Sequence, residues 1–167
     1  MKLRAILNEI GDSAKVYDYD KYSLPQIGDK ARDGNVYKVN FVTDKGTKYI
    51  VQMFVRFVGR DELGIEVEFK TTEDDYDAYS TQTNRYEVFS VMATISDILL
   101  NTLKDNSDKI KFIEFSPTKT ENDRYTTPAD KTQRGKLYLA YVKSKLSSEG
   151  IPYKVQSDGE TVIIKLF

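Results

Sequence analysis

The sequence predicts an α+β domain: a mixed, mostly antiparallel sheet with helices packed on its faces, in the order α-β-β-β-α-β-α-β-β. Three observations predict it. Residues 35–70 alternate apolar and polar side chains with the period of two that marks strands with one dry face. Residues 84–104 repeat apolar side chains every three and four positions, as an amphipathic helix does. The C-terminal stretch returns to strand chemistry around an Asp-Gly pair, the residues that tight hairpin turns favour.

A chain of 167 residues that is 40% hydrophobic and 31% charged can bury one core beneath a well-solvated surface, so one domain spanning 1–167 is expected. With 25 basic and 26 acidic residues, the formal net charge is −1. That balance gives no global electrostatic footprint for nucleic acid. Cysteine and histidine are both absent. Disulfides, thiolate nucleophiles, common structural zinc sites and histidine general bases are thereby excluded. Catalysis would fall to Asp, Glu, Tyr, Lys, Ser, Thr or backbone groups. No apolar run approaches the length of a membrane span, and Met1–Leu7 lacks the apolar stretch of a signal peptide. The expectation is a soluble protein with no membrane partner, kept in the compartment where it is made.

Element by element, Leu3, Ile6, Leu7 and Ile10 share a helical face that ends at Gly11. The helix reads as docked on the core, with partner docking as the rarer use. Residues 12–34 read as a loop that holds at most one short strand. Two strands, 35–44 and 47–58, flank the turn Asp44-Lys45-Gly46. A second turn at 59–64 leads to a strand in which Ile65, Val67 and Phe69 alternate with Glu66, Glu68 and Lys70. Arg56 and Gln52 stand among apolar residues and predict a wet outer face; if that face is covered, Arg56 needs Glu66 or Glu68 as partner.

Glu73, Asp74, Asp75 and Asp77 form an acidic run that reads as a solvated loop. It lacks the ligand spacing of a calcium loop, and no metal site is expected. The helix over 84–104 has Asn84 as cap and Glu87 as capping-box partner. Residues 110–116 make a buried strand, and the strand–helix–strand step between 65 and 116 predicts a parallel pair. A polar loop covers 117–133, a second helix covers 134–147, and Gly150 and Pro152 end it. The final hairpin turns at Ser157-Asp158-Gly159.

This element order resembles the GNAT acetyltransferase superfold without its first strand, over most of residues 36–167. The resemblance implies that the turn before the long helix holds acetyl-CoA, with backbone amides on its pyrophosphate. The matching residues are Gln82, Thr83, Asn84 and Arg85. Gln82 fits the family's first position. Arg85 and Glu87 stand where the family places small residues; their side chains crowd the approach, and Glu87 repels phosphate. The Leu137-Tyr138 pair resembles the family's Leu-Tyr, which implies Tyr138 as general acid towards the leaving thiolate. On the residues alone Tyr138 reads as a helix–sheet packing residue. The runs Ile113–Ser116, Arg134–Tyr138 and Met1–Ile10 are similar in style to small proteins of tailed bacteriophages, which implies a place in the host cytoplasm or the virion.

Three functions follow. A non-catalytic interaction or virion-associated protein, without cofactor and with a protein partner, accords with the crowded turn and with tyrosines 17, 19, 22, 76, 79 and 86 in or beside loops. A divergent N-acyltransferase would use acetyl-CoA and Tyr138. A nucleic-acid or phosphate-binding module would use Arg124, Lys131, Arg134 and Lys136, with Lys119, near Tyr125 and Tyr138. Oligomeric state is open at this level.

Overall fold

Alternation along the strands sorts the chain into one dry and one wet sheet face. The computed structural model describes residues 14–59, 62–72, 87–117 and 128–167. Strand β1 spans Val36–Val42, β2 Lys48–Val58, β3 Glu62–Thr71, β4 Ile110–Phe115, β5 Tyr153–Asp158 and β6 Thr161–Leu166. Helix α1 spans Glu87–Asp105 and α2 spans Gln133–Ser148. Short 3-10 turns cover Lys21–Ser23 and Ala129–Lys131. The predicted helix over 2–10 lies outside the described residues.

The strands form one sheet in the order β1-β2-β3-β4-β6-β5. Only β3 and β4 pair in parallel, as the crossover through α1 requires. On the dry face Val39, Val51, Met53, Val55, Ile65, Ile113, Val162 and Ile164 are fully buried. Both helices pack on this face: Thr102 Oγ1 of α1 lies 3.7 Å from the Met53 sulfur, and Tyr138 of α2 touches Phe69 and Phe115. The two described helices lie on this one face. The outward positions of β2 and β3 explain this: Gln52, Arg56, Glu66, Glu68 and Lys70 would be costly to cover. Arg56 takes the predicted partner, with Nε donating to Glu66 at 2.6 Å.

Strand β3 begins at Glu62, within the turn expected over 59–64. Gly64 is the reason. It faces Phe112 in the β3–β4 register, where the pairing shifts, and the Phe112 ring lies across its bare Cα. A side chain there would overlap the ring, so the glycine reads locally as a turn and serves as a seat. The first turn holds: Gly46 has φ 85° and bonds back to Thr43 at 2.9 Å. The last loop falls one residue later than expected, at Gly159-Glu160 between the paired Asp158 and Thr161.

The loop before β1 is tied to α1. Tyr17 N–H donates to Thr94 Oγ1 at 2.9 Å. Asn106, just past α1, clamps the other end: its Nδ2 donates to the Pro25 and Thr102 carbonyls, each at 2.8 Å, and its Oδ1 accepts from Ile27 N–H at 2.9 Å. Tyr19 bridges to Phe41 on β1, the one trace of the short strand expected in this loop.

Replacing Asn106 with Ala strands the buried Ile27 N–H and Pro25 carbonyl. Urea unfolding should show a loss of about 2–4 kcal/mol, because each unpaired buried group costs about 1–3 kcal/mol.

Candidate functional site

The parallel pair ends early. β3 and β4 stay in register only from Leu63↔Ile110 to Glu66↔Glu114, while β3 runs on to Thr71. Beyond that point β3 runs on beside β2, while β4 ends at Phe115. Helix α2 packs over both strands there. The Tyr138 ring meets Phe69 of β3 at 5.2 Å and Phe115 of β4 at 5.6 Å between centroids, both edge-on at 67° and 64°. Such contacts add about 0.5–1.5 kcal/mol each beyond the area they bury.

The start of α2 aims this wedge. Thr132 caps the helix, its Oγ1 accepting from Gly135 N–H at 3.0 Å. Gly135 packs directly beneath the Ala129 carbonyl, and an added Cβ would overlap that oxygen. The 3-10 turn over Ala129–Lys131 is held in turn by Ala129 N–H donating to the Gly159 carbonyl at 2.9 Å. Hairpin, 3-10 turn and helix therefore form one frame behind Tyr138.

Burial pushes the Tyr138 phenol well above its ordinary value, against a smaller opposing pull from nearby Arg134. A phenol so hard to ionise is a poorer acid than an ordinary tyrosine. Burial also raises Tyr141 to about 12, and Tyr19 rises to about 12 chiefly for the same reason. Glu87 opens α1 and is buried at 7% exposure, with Oε1 lacking a hydrogen-bond partner among the described residues. A helix N-terminus attracts anions, and this one already carries a carboxylate.

The cofactor residues named from the sequence, Gln82, Thr83, Asn84 and Arg85, lie outside the described residues, as do Arg124, Lys119, Tyr125 and the acidic run at 73–77. The basic edge divides where it is described. Lys131 stands 3.6 Å from Asp130, and Arg134 lies near Tyr138. Lys136 is two residues from Arg134, about 200° around the helix. The loop tyrosines also divide. Tyr17 is 5% exposed and stacks on Phe41, which stacks on Tyr49. Tyr19 donates to Asp97 at 2.9 Å and accepts from Asn101 at 2.6 Å. Both are structural. Tyr22, 99% exposed, is the one of these three open to a partner, and tyrosines 76, 79 and 86 lie outside the described residues.

A concavity of about 490 Å³ lies between the segment at 15–20 and β1, with Asp18, Asp20, Asn40 and Asp44 on its walls. Its cation is the chain's own: Lys15 Nζ bonds Asp44 at 2.7 Å and stands 5.4 Å from the Tyr17 ring centroid. Among the described residues no acidic group is arranged to hold a metal, and no helix is long and apolar enough to cross a membrane. Comparison with protein-family models, curated proteins and solved structures finds no match.

Two measurements probe this frame. Gly135→Ala would raise intrinsic helix propensity by about 1 kcal/mol; here it should lower the melting temperature, because the methyl overlaps the Ala129 carbonyl. The raised phenols keep their protons in the folded state after the unfolded chain loses its own near pH 10. The unfolded state then binds fewer protons, so stability should hold below pH 10 and fall as pH climbs towards 12. Denaturation across that range should show a shallower fall for Tyr138→Phe.

Proposed function

We propose that this protein is a non-catalytic interaction protein on an acetyltransferase-like scaffold, phage-encoded and acting in the host cytoplasm or virion. The observation that carries the reading is the wedge: the notch where such a scaffold would take a thioester cofactor is occupied by Tyr138 between Phe69 and Phe115. Two further features support it. Tyr138 is a poor acid in that setting, and Glu87 puts a buried carboxyl, not a small residue, in the first turn of α1. The scaffold part of the reading is supported by the sheet order and by the single parallel pair joined through α1. The phage part rests on the style of the sequence.

A divergent N-acyltransferase is the second reading. It is favoured by the end of the β3–β4 pairing at Glu66↔Glu114, short of the end of β3. On that reading Tyr138 would have to swing out before acetyl-CoA entered.

Thermal unfolding with acetyl-CoA separates the two. A ligand at a hundredfold its Kd adds about 2.7 kcal/mol to the native state. Wild type should show no change in melting temperature at millimolar acetyl-CoA, and Tyr138→Ala should begin to respond if the wedge is what blocks the notch. A clear rise for wild type would overturn the interaction reading in favour of the enzyme. The positive arm is affinity capture with the intact protein from phage-infected cells, where a specific protein should be retained.

A further inference from the structure

Strand β5 is the last strand of the sheet, and among the described residues nothing pairs with its outer edge. The opposite edge differs, since β1 is partly covered by the Tyr19↔Phe41 bridge. Asp158 and Thr161 close a two-residue loop. In such a hairpin the backbone groups of Asp158, Gln156 and Lys154 bond to β6, and those of Ser157, Val155 and Tyr153 point away from the sheet. Unpaired groups of this kind are a template for another strand.

The charges on β5 are badly placed for a lone copy. Lys154 and Asp158 lie four residues apart on the wet face. Lys154 sits directly across from Lys165, a like-charge pair. Desolvation raises the Glu114 pKa most, Glu66 next, and nearby Asp158 adds a smaller push against the pull of Arg56. Each residue therefore has a neighbour of its own sign and, at the outer edge, an open side.

We propose that β5 pairs antiparallel with β5 of a second copy of this chain, about a two-fold axis at Gln156. This register is the one in which the strand is complementary to itself. Lys154 faces the second copy's Asp158, and Asp158 faces its Lys154. Val155 faces the second copy's Ser157, so the outward backbone groups meet in hydrogen-bonded pairs. A register centred on Val155 would oppose Lys154 to Gln156 and leave both charges unmatched. The symmetry is isologous, and the two sheets join into one of twice the width. A single strand edge is a small interface, so the dimer belongs to the weak, reversible class.

Analytical ultracentrifugation of the whole protein at submillimolar concentration tests this. Wild type should show a monomer–dimer equilibrium that weakens with added salt. D158K and K154D should each weaken it by about tenfold or more, since each sets two like charges face to face. The double variant K154D/D158K should restore it. Val155→Pro removes an outward N–H without costing a β6 bond, so it should give a folded monomer, with folding checked by circular dichroism. A wild type that stays monomeric throughout the range overturns the proposal, and so does one that dimerises only through binding of a different strand. A dimer indifferent to both charge reversals and to Val155→Pro also overturns it.

Discussion

Period-two alternation along β2 is the constraint from which the rest of the structure follows. Tyr49, Val51, Met53 and Val55 turn inward and are buried, while Ile50, Gln52, Phe54 and Arg56 turn outward and are partly exposed. A one-residue slip would exchange the two sets, which fixes the register against β1 and β3. With β3 and β6 obeying the same rule, most of the buried apolar surface lies on one side of the sheet, the Phe112 ring over Gly64 being an exception. Both helices must then share that side and pack against each other. Helix α1 becomes the most enclosed element: Val91, Ile95, Ile98 and Leu103 are buried, as are the polar Thr94, Ser96 and Thr102.

Enclosing a helix so completely raises the question of its polar groups. Thr94 and Thr102 are settled by back-bonding to the carbonyls of Ser90 and Ile98, at 2.7 and 2.8 Å. Thr94 also accepts from Tyr17, which turns the N-terminal loop into part of the core. Asn106 does the same for the stretch around Pro25. Ser96 Oγ and Tyr141 OH, by contrast, have no partner among the described residues. They sit on the two helices that pack together, and each costs about 1–3 kcal/mol as an unpaired buried group.

Local pattern carried most of the fold. The β1–β2 hairpin, the long helix, the parallel step through α1 and the C-terminal hairpin are all visible in spacing and turn chemistry. What local pattern misses depends on distant partners. Tyr17 and Tyr19 stand among polar loop residues, and only contacts 77 and 78 positions away make them structural. Gly64 looks like a turn residue because its reason, the Phe112 ring, arrives on another strand. Thr132 lacks the acidic partner three residues on that marks a capping box; Gly135 stands there instead, for packing. At the candidate site, Tyr138 was legible as a packing side chain from its helical face. That it packs between Phe69 and Phe115 was not, since that requires knowing where β3 and β4 part.

That parting separates two properties that usually travel together. Topology sets the backbone outline: β3 and β4 run parallel through α1, and β3 continues to Thr71 after their pairing stops at Glu66↔Glu114. The chemistry comes from side chains, and here two of them matter, Tyr138 and Glu87. Tyr138 takes the space and gains two aromatic edges there, which an entering ligand would have to match. Burial pushes its phenol above the ordinary value, which makes it a poorer acid. Glu87 places a buried carboxyl in the first turn of α1. The aromatic packing of Tyr138 and the raised phenol share one cause, its enclosure between α2 and the two strands. A scaffold can keep the outline of a binding site while its side chains commit the same space to holding the domain together.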